Sequence, residues 1–427
     1  MESQGMDTLR RVARLLLVVA PALFVFGCPP KPTGPLQEPF GMGKDYDRPL
    51  PPGQLALRKI TDPADIPDFT RACGNPYALE IAIDRSLSYL SKPSSRAFFP
   101  YGEISHEQAV ASLKAFRDLL DARLSPDAMN AAIREKFDVY ISVGCDDKGT
   151  VLYTGYYTPI FDASPTRTER FRWPLYKQPA DLVKDAQGNT LGRRGPDGQM
   201  TPFPDRKALE SSNQLAGLEL YWLGDPFEVY IAHVQGSAKL RLPDGKLVTV
   251  GYTANSGHEY RSIGKEMLAE GKFPQGGLSL RAMIDYFKAH PGEVQQYTWR
   301  NPRFVFFGKI AGEPRGSLNE PVMKMRSIAT DKTIFPRACL AMISTNLPRR
   351  LVEGIEVLPY EGFALDQDTG GAIRAPGRCD VYMGVGDEAG DLAGRTMEEG
   401  RLYYLFLKPS AATPSALPVM GPSAPGR

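Results

Sequence analysis

At Phe137 the spacing of apolar residues changes from helical to alternating, and that change limits the possible folds more than composition does. Before it, Leu79, Ile83, Leu87 and Leu90 recur at helical spacing and give one apolar face. Ser105 with Gln108 forms a capping box ahead of Val110, Leu113, Phe116, Leu120 and Leu124. Ser125-Pro126 opens a third helix carrying Met129, Ile133 and Phe137. After it, Val139, Ile141 and Val143 alternate with polar or small residues, and Val151 to Pro159 reads as a second strand that Pro159 confines to an edge or an end. Helices first and strands afterwards imply an α+β fold, mainly β. The helical stripes are core faces and carry no chemistry.

The rest of the chain fits that class. A polar stretch rich in Gly and Pro from Ala163 to Pro204 predicts long loops, and strand signals return at Phe227, Val229 and Ile231. Leu240 to Leu242, a Pro243-Asp244-Gly245 turn and Leu247 to Val250 make a hairpin. Short helices are expected over Arg261 to Glu270 and Ser279 to His290, then a strand over Asn301 to Phe307. The final region, Val322 to Leu407, is a run of short strands with Gly and Pro turns, which suggests a barrel.

The two ends of the chain have a different character. Arg10, Arg11 and Arg14 precede an apolar run from Leu15 to Phe26 that Pro21 interrupts, too short for the roughly 20 residues a bilayer span needs. Residues 1–27 therefore read as a signal peptide. The run ends Val25-Phe26-Gly27-Cys28, which resembles a bacterial lipobox and makes Cys28 the expected site of lipidation. Pro29 after the cysteine is not the aspartate of an inner-membrane protein, so the resemblance implies a lipid anchor on the periplasmic side of the outer membrane. Residues 28–60, crowded with prolines, are expected to be an extended tether, and residues 411–427 a disordered tail.

A net charge of +2 gives no electrostatic case for a nucleic-acid partner. Export makes disulfides possible. Cys339 with Cys379, both in the C-terminal β region, is one reading, and free buried thiols are the other. Neither the cysteine spacing nor the scattered histidines form a metal site, and no cofactor motif is present.

The densest chemistry lies near the C-terminus. Asp368-Thr369-Gly370-Gly371-Ala372-Ile373-Arg374 is followed by Arg378-Cys379-Asp380-Val381-Tyr382, so two carboxylates stand 12 residues apart around a glycine turn. Asp331 precedes them in Asp331-Lys332-Thr333-Ile334-Phe335-Pro336. Glycines let the backbone approach a ligand closely, which places carboxylates around them at a groove.

With these blocks stand Tyr153 to Pro159, Val234-Gln235-Gly236-Ser237, Gly251-Tyr252 to Tyr260, Ser262-Ile263-Gly264, Asn301-Pro302 to Phe307, and Gly384 to Gly390 with Ala393-Gly394. In this order, from about Tyr153 to Leu407, the chain resembles the membrane-bound lytic murein transglycosylase A family with its C-terminal three-aspartate module. The resemblance implies a double-psi β-barrel domain with the N-terminal helices, residues 61–159 and 308–410, and an inserted smaller β-barrel-like domain, residues 160–307. It also implies a groove between them that takes glycan strands of peptidoglycan. The implied reaction cuts the β-1,4 bond between N-acetylmuramic acid and N-acetylglucosamine without water and leaves 1,6-anhydromuramoyl ends. Its implied catalytic residue is Asp380. This sequence departs from the family in having no Gly at Arg337 or Ala338, and in having Ser237-Ala238 for Ser-Gly.

The residue chemistry allows that reaction. Most glycosidases need two carboxylates, about 5 Å apart for retention or about 6.5–9.5 Å for inversion. When the sugar's own C6 hydroxyl attacks, an effective molarity of about 10⁵ M or more leaves one carboxyl group enough to do. Val381, Tyr382 and Met383 desolvate Asp380 and Asp368 repels its charge, both of which favour the protonated acid, whereas Arg378 opposes them. Asp368 is as well suited to bonding amides of its own loop as to touching substrate, and Asp331 reads as structural. Asp368, Thr369, Tyr156, Thr158, Gln235, Ser237, Asn255, Tyr260 and Ser262 have the chemistry to bind sugars. His258 has no partner motif and reads as a solvent-facing loop residue. Two other functions remain open at this point: a two-carboxylate glycoside hydrolase acting on peptidoglycan, and a noncatalytic glycan-binding lipoprotein that serves cell-wall machinery proteins.

Overall fold

The computed structural model describes residues 44–409, apart from 186–187 and 275–276. The expected signal peptide, Cys28, the first part of the tether and the tail lie outside the described residues.

The described chain begins with a short strand, β1 (Leu57–Lys59), and a single helical turn, α1 (Thr70–Cys73). Three longer helices follow: α2 (Leu79–Leu90), α3 (His106–Asp121) and α4 (Pro126–Lys136). Ser105 caps α3 by accepting from Gln108 N, and Ser125 caps α4 by accepting from Ala128 N, with Pro126 in the first turn. Their apolar faces, including Leu79, Ile83, Leu113, Phe116 and Ile133, are buried in one core with the barrel. The chain then enters β2 (Phe137–Ser142) and β3 (Val151–Thr158).

A second body lies between β3 and the C-terminal strands. It holds β4 (Ile160–Ser164), β5 (Trp173–Tyr176), β6 (Leu182–Lys184), β7 (Thr190–Arg194) and β8 (Met200–Thr201). Next come α5 (Arg206–Glu210), β9 (Glu219–Leu223), α6 (Pro226–Gln235), β10 (Ser237–Arg241) and β11 (Leu247–Asn255). It closes with α7 (Ile263–Ala269), α8 (Leu280–Ala289), α9 (Val294–Thr298) and β12 (Val305–Ile310). Six strands form one sheet in the order β12-β11-β10-β4-β9-β5, and β6, β7 and β8 form a small separate sheet. Within β12, Phe306 packs on one side of the large sheet while Val305 and Phe307 pack on the other, the alternation a strand imposes.

Two regions correct the sequence reading. The stretch from Ala163 to Pro204, expected as long loops, carries β5 to β8, strands too short to show an alternating pattern. Phe227, Val229 and Ile231 belong to helix α6, not to a strand. Asp225 accepts from Phe227 N, Pro226 occupies the first turn, and Gly236 ends the helix at φ 74°. Phe227, Val229, Tyr230, Ile231, Ala232 and His233 are all buried. A helix enclosed on nearly every side has no polar stripe, so its periodicity is lost.

The C-terminal strands are β13 (Ser327–Ala329), β14 (Leu340–Leu351), β15 (Gly354–Asp368), β16 (Arg378–Val385) and β17 (Met397–Leu407), with α10 (Asp387–Ala393) before the last. The pairings run β17-β14-β15-β13-β16-β3, and β17 also pairs with β3, so six strands close into a barrel. Within this ring β13 with β15 and β16 with β3 are parallel, and the other pairs are antiparallel. The fold is α+β and mainly β, with a closed double-psi barrel, helices packed on it and an inserted β domain. Gly155 allows α10 to cross β3, because a Cβ there would meet the Cα of Ala393 at 2.7 Å.

One further expectation changes, and of the two readings of the cysteines the structure has the free thiols. Residues 44–60 fall within the expected tether, yet β1 pairs with β2 and the side chains of Lys44, Tyr46, Asp47 and Arg48 all have partners. Cys73, Cys145, Cys339 and Cys379 are all free and buried. Cys379 lies in β16 and Cys339 directly precedes β14, so β13 and β15 stand between them in the barrel wall.

Candidate active site

Parallel pairing of β16 with β3 places Asp380 beside Thr154 and Tyr382 beside Tyr156. Strand alternation sends Cys379, Val381 and Met383 into the core and Thr154, Tyr156, Asp380 and Tyr382 to the other face. Asp368 and Asp380 both stand opposite Ala329 of β13, one on each side, so their Cα atoms lie two strand spacings, about 10 Å, apart. The turn between them abuts the inserted domain: a Cβ on Gly371 would come within 3.2 Å of Arg303 Nε and 3.4 Å of Tyr260 Cβ.

The two carboxylates have unlike surroundings. Asp380 Oδ1 accepts from the Thr154 hydroxyl, whose oxygen accepts from Arg378 Nη2 at 3.3 Å. Burial pushes the Asp380 carboxyl up to about 6; the Arg378 charge pulls it down and the Asp368 charge adds to the rise. Asp368 Oδ1 instead accepts from the backbone amides of Ser317 and Thr369, each at 2.8 Å. Burial raises its pKa too, and those amide bonds oppose the rise. Asp331 has the structural surroundings expected of it. Its Oδ1 accepts from Thr333 N and Oγ1, and its Oδ2 accepts from Ala375 N.

The other expected residues divide into two groups. Thr369 is exposed, Tyr156 and Tyr260 are partly buried near the carboxylates, and the Tyr156 ring lies 5.1 Å from that of Tyr382. The Tyr156 hydroxyl makes no well-formed hydrogen bond, and burial with the charges of Asp368 and Asp380 raises its pKa well above the usual phenol value. Thr158 and Ser237 are enclosed, and their hydroxyls lie 3.1 Å apart, with Tyr382 Oη 2.9 Å from Thr158 Oγ1. Gln235 Oε1 accepts from Tyr157 N. Asn255 donates to Tyr252 Oη and accepts from Gly257 N. Ser262 caps α7 through Lys265 N. These five residues are thus engaged inside the protein, mostly where barrel and insert join. His258 is half-buried, not solvent-facing, with Nε2 2.8 Å from Phe203 O.

Two groups at the site gave no local signal. Thr154 touches Asp380 only through a pairing between residues 226 positions apart in the chain. Asp47 lies in the proline-rich stretch, yet its carboxylate is 3.4 Å from Arg378 and 3.3 Å from Lys265. Beneath the site, Lys332 pairs with Asp366 inside the barrel, and Thr330 and Tyr404 also donate to Asp366. Burial disfavours both charges of this pair. Among the described residues no cluster of His, Cys, Asp and Glu is placed to hold a metal ion.

Two family models match the chain: the MltA specific insert domain over residues 152–308 and the 3D domain over residues 326–406. Membrane-bound lytic murein transglycosylase A of Escherichia coli K12 is 31% identical over 278 residues, 64% of this chain and 70% of the relative. The Vibrio cholerae protein of that name is 29% identical over 280 residues, 64% of this chain and 71% of its own length. The membrane-bound lytic murein transglycosylase from Agrobacterium tumefaciens superposes with a TM-score of 0.68 at 26% identity, covering 82% of this chain and 98% of that one. The structure of E. coli MltA with bound chitohexaose has the same fold, with a TM-score of 0.62 at 24% identity over 86% of this chain and 98% of that one.

Proposed function

The chain belongs to the membrane-bound lytic murein transglycosylase A family, and on that premise we propose that it cleaves the β-1,4 bond between N-acetylmuramic acid and N-acetylglucosamine in peptidoglycan without water, with Asp380 as acid and then as base. The observation that carries this reading is the contrast between the two carboxylates. Both carboxyls are desolvated, but two backbone amides hold Asp368 and oppose its rise, whereas burial pushes Asp380 up to about 6, so about a tenth of it is protonated at pH 7 and more below.

In this mechanism Thr154 fixes Oδ1 of Asp380, and Oδ2 carries the proton that passes to the glycosidic oxygen. As the bond to the leaving sugar breaks, the C6 hydroxyl of the muramoyl residue attacks its own anomeric carbon and returns its proton to Asp380. The oxygen is supplied within the substrate, which replaces the second carboxylate of a hydrolase by proximity. We assign contact with the glycan to Thr369, Tyr156 and Tyr260, a reading supported by the exposure of Thr369 and the closeness of the two rings to the site. Thr158, Ser237 and Gln235 tie barrel to insert, and Asn255 and Ser262 brace the insert itself. We assign the chain to the periplasmic side of the outer membrane through a lipid on Cys28, a reading supported by the lipobox-like sequence and by relatives named membrane-bound.

Muropeptide mass analysis of digested murein sacculi tests the reaction. Fragments with anhydro ends, lighter by one water than reducing ends, are expected from the wild type and none from Asp380→Asn. Reducing ends would make the enzyme a hydrolase. A protein that sediments with sacculi and releases nothing would be a binding scaffold. The ratio of terminal to internal cuts in the same digest separates exo from endo action.

A further inference from the structure

Residues 44–48 form a strap that crosses beside Arg378. Lys44 and Tyr46 both donate to Glu399, at 2.8 and 2.6 Å, and Arg48 pairs with Asp147 at 3.0 Å. These residues hold the strap to the barrel, and a Cβ on Gly377 would come within 2.7 Å of Tyr46 O. Asp47 turns the other way. Its Oδ1 is 3.4 Å from Arg378 Nη1 and its Oδ2 is 3.3 Å from Lys265 Nζ on α7 of the insert. From Arg378 the chain of contacts continues to Thr154 and on to Asp380.

We propose that Asp47 is a positioning residue for the reaction: it holds the Arg378 guanidinium between strap and insert, and so keeps it from pairing directly with Asp380. Arg378 is nearly enclosed, so its charge acts through a poorly screened medium, and the carboxylate that faces it sets how strongly Asp380 feels it. The groups facing Asp380 are Arg378 of its own strand, Thr154 and Tyr156 from β3 and Asp368 from β15. Those facing Arg378 are Asp47 from the strap and Tyr260 from the insert. Among the described residues, Asp47 is the carboxylate within ion-pair distance of Arg378. This inference rests on Asp380 being the acid.

The test is the pH profile of anhydro-ended fragment release from sacculi by the full-length protein, for wild type, Asp47→Asn and Asp47→Glu. With Asp47 amidated, Arg378 stabilises ionised Asp380 more strongly, so the descending limb of the profile moves to lower pH. A shift of roughly half a pH unit is expected, which is about a threefold loss on the alkaline side with the acidic plateau unchanged. Asp47→Glu restores the wild-type limb. An Asp47→Asn limb that coincides with wild type overturns the proposal, whether the rate is unchanged or lowered at every pH. If Asp47→Asn does not fold, an Asp47→Glu limb displaced as far as half a unit overturns it as well. Asp380→Asn, assayed alongside, separates the two readings. Its continued turnover removes the acid itself, while an inactive Asp380→Asn with no Asp47 shift removes only the role of Asp47.

Discussion

Replacing Asp380 by Asn should stabilise the protein while abolishing its activity, and the size of the gain should depend on pH. The carboxyl is raised from 3.8 to about 6, which corresponds to about 3 kcal/mol of preference for the neutral form in the folded state. For an acid raised on folding, the native state binds the proton more tightly than the unfolded chain. Ionised Asp380 therefore burdens the fold above pH 6, the burden fades between pH 6 and 3.8, and it is absent below. Asn keeps the shape, still accepts from Thr154 and never ionises. Urea unfolding followed by circular dichroism at pH 4, 5, 6 and 7.5 gives the difference between variant and wild type. It should be about 0.6 kcal/mol at pH 4 and rise to about 3 kcal/mol at pH 7.5. Fragment release should fall by about 10² to 10⁴-fold or more, since proton transfer in both directions is lost. A stability difference that stays flat across this range would mean the carboxyl is not held in its neutral form. The argument for Asp380 over Asp368 would then fail.

Three other substitutions test the frame around the site. Ala338 sits at φ 63°, a left-handed conformation that favours glycine, so Ala338→Gly should raise stability by about 1 kcal/mol in urea unfolding. Lys332→Met leaves Asp366 charged and unpaired inside the barrel and should lower stability by about 3–5 kcal/mol at neutral pH, less in acid where Asp366 protonates. His233 is buried between Phe304 and Phe307 with neither ring nitrogen bonded, and burial holds its pKa well below the usual imidazole value. The native state thus stays neutral while the unfolded chain takes up a proton, and stability present above pH 6.5 is lost as pH falls below it. His233→Leu should remove up to about 1.4 kcal/mol per pH unit of that loss, measured between pH 6.5 and 5.

What could be read in the sequence followed from how far each signal reaches along the chain. Helices α3 and α4 were legible because their caps and apolar stripes lie within a few turns, and the hairpin of β10 and β11 because its turn residues are contiguous. Helix α6 was misread although Asp225-Pro226 and Gly236 mark its ends, because burial all round replaced the amphipathic stripe with a continuous apolar run. Asp380 stood out from its motif, but its partner Thr154 could not: the two meet through a parallel pairing whose register depends on the whole insert lying between β3 and β16. Asp47 was hidden for a different reason. Prolines predict an extended backbone, and an extended segment is as well suited to lying against a surface as to spanning solvent. What distinguishes the two is whether the intervening side chains find partners. Lys44, Tyr46, Asp47 and Arg48 find theirs on Glu399, Arg378, Lys265 and Asp147, and all but Lys265 belong to the barrel wall or the loops that join its strands. The acid is therefore read from a local motif, while the charge balance around it is set by groups that only the closed barrel brings together.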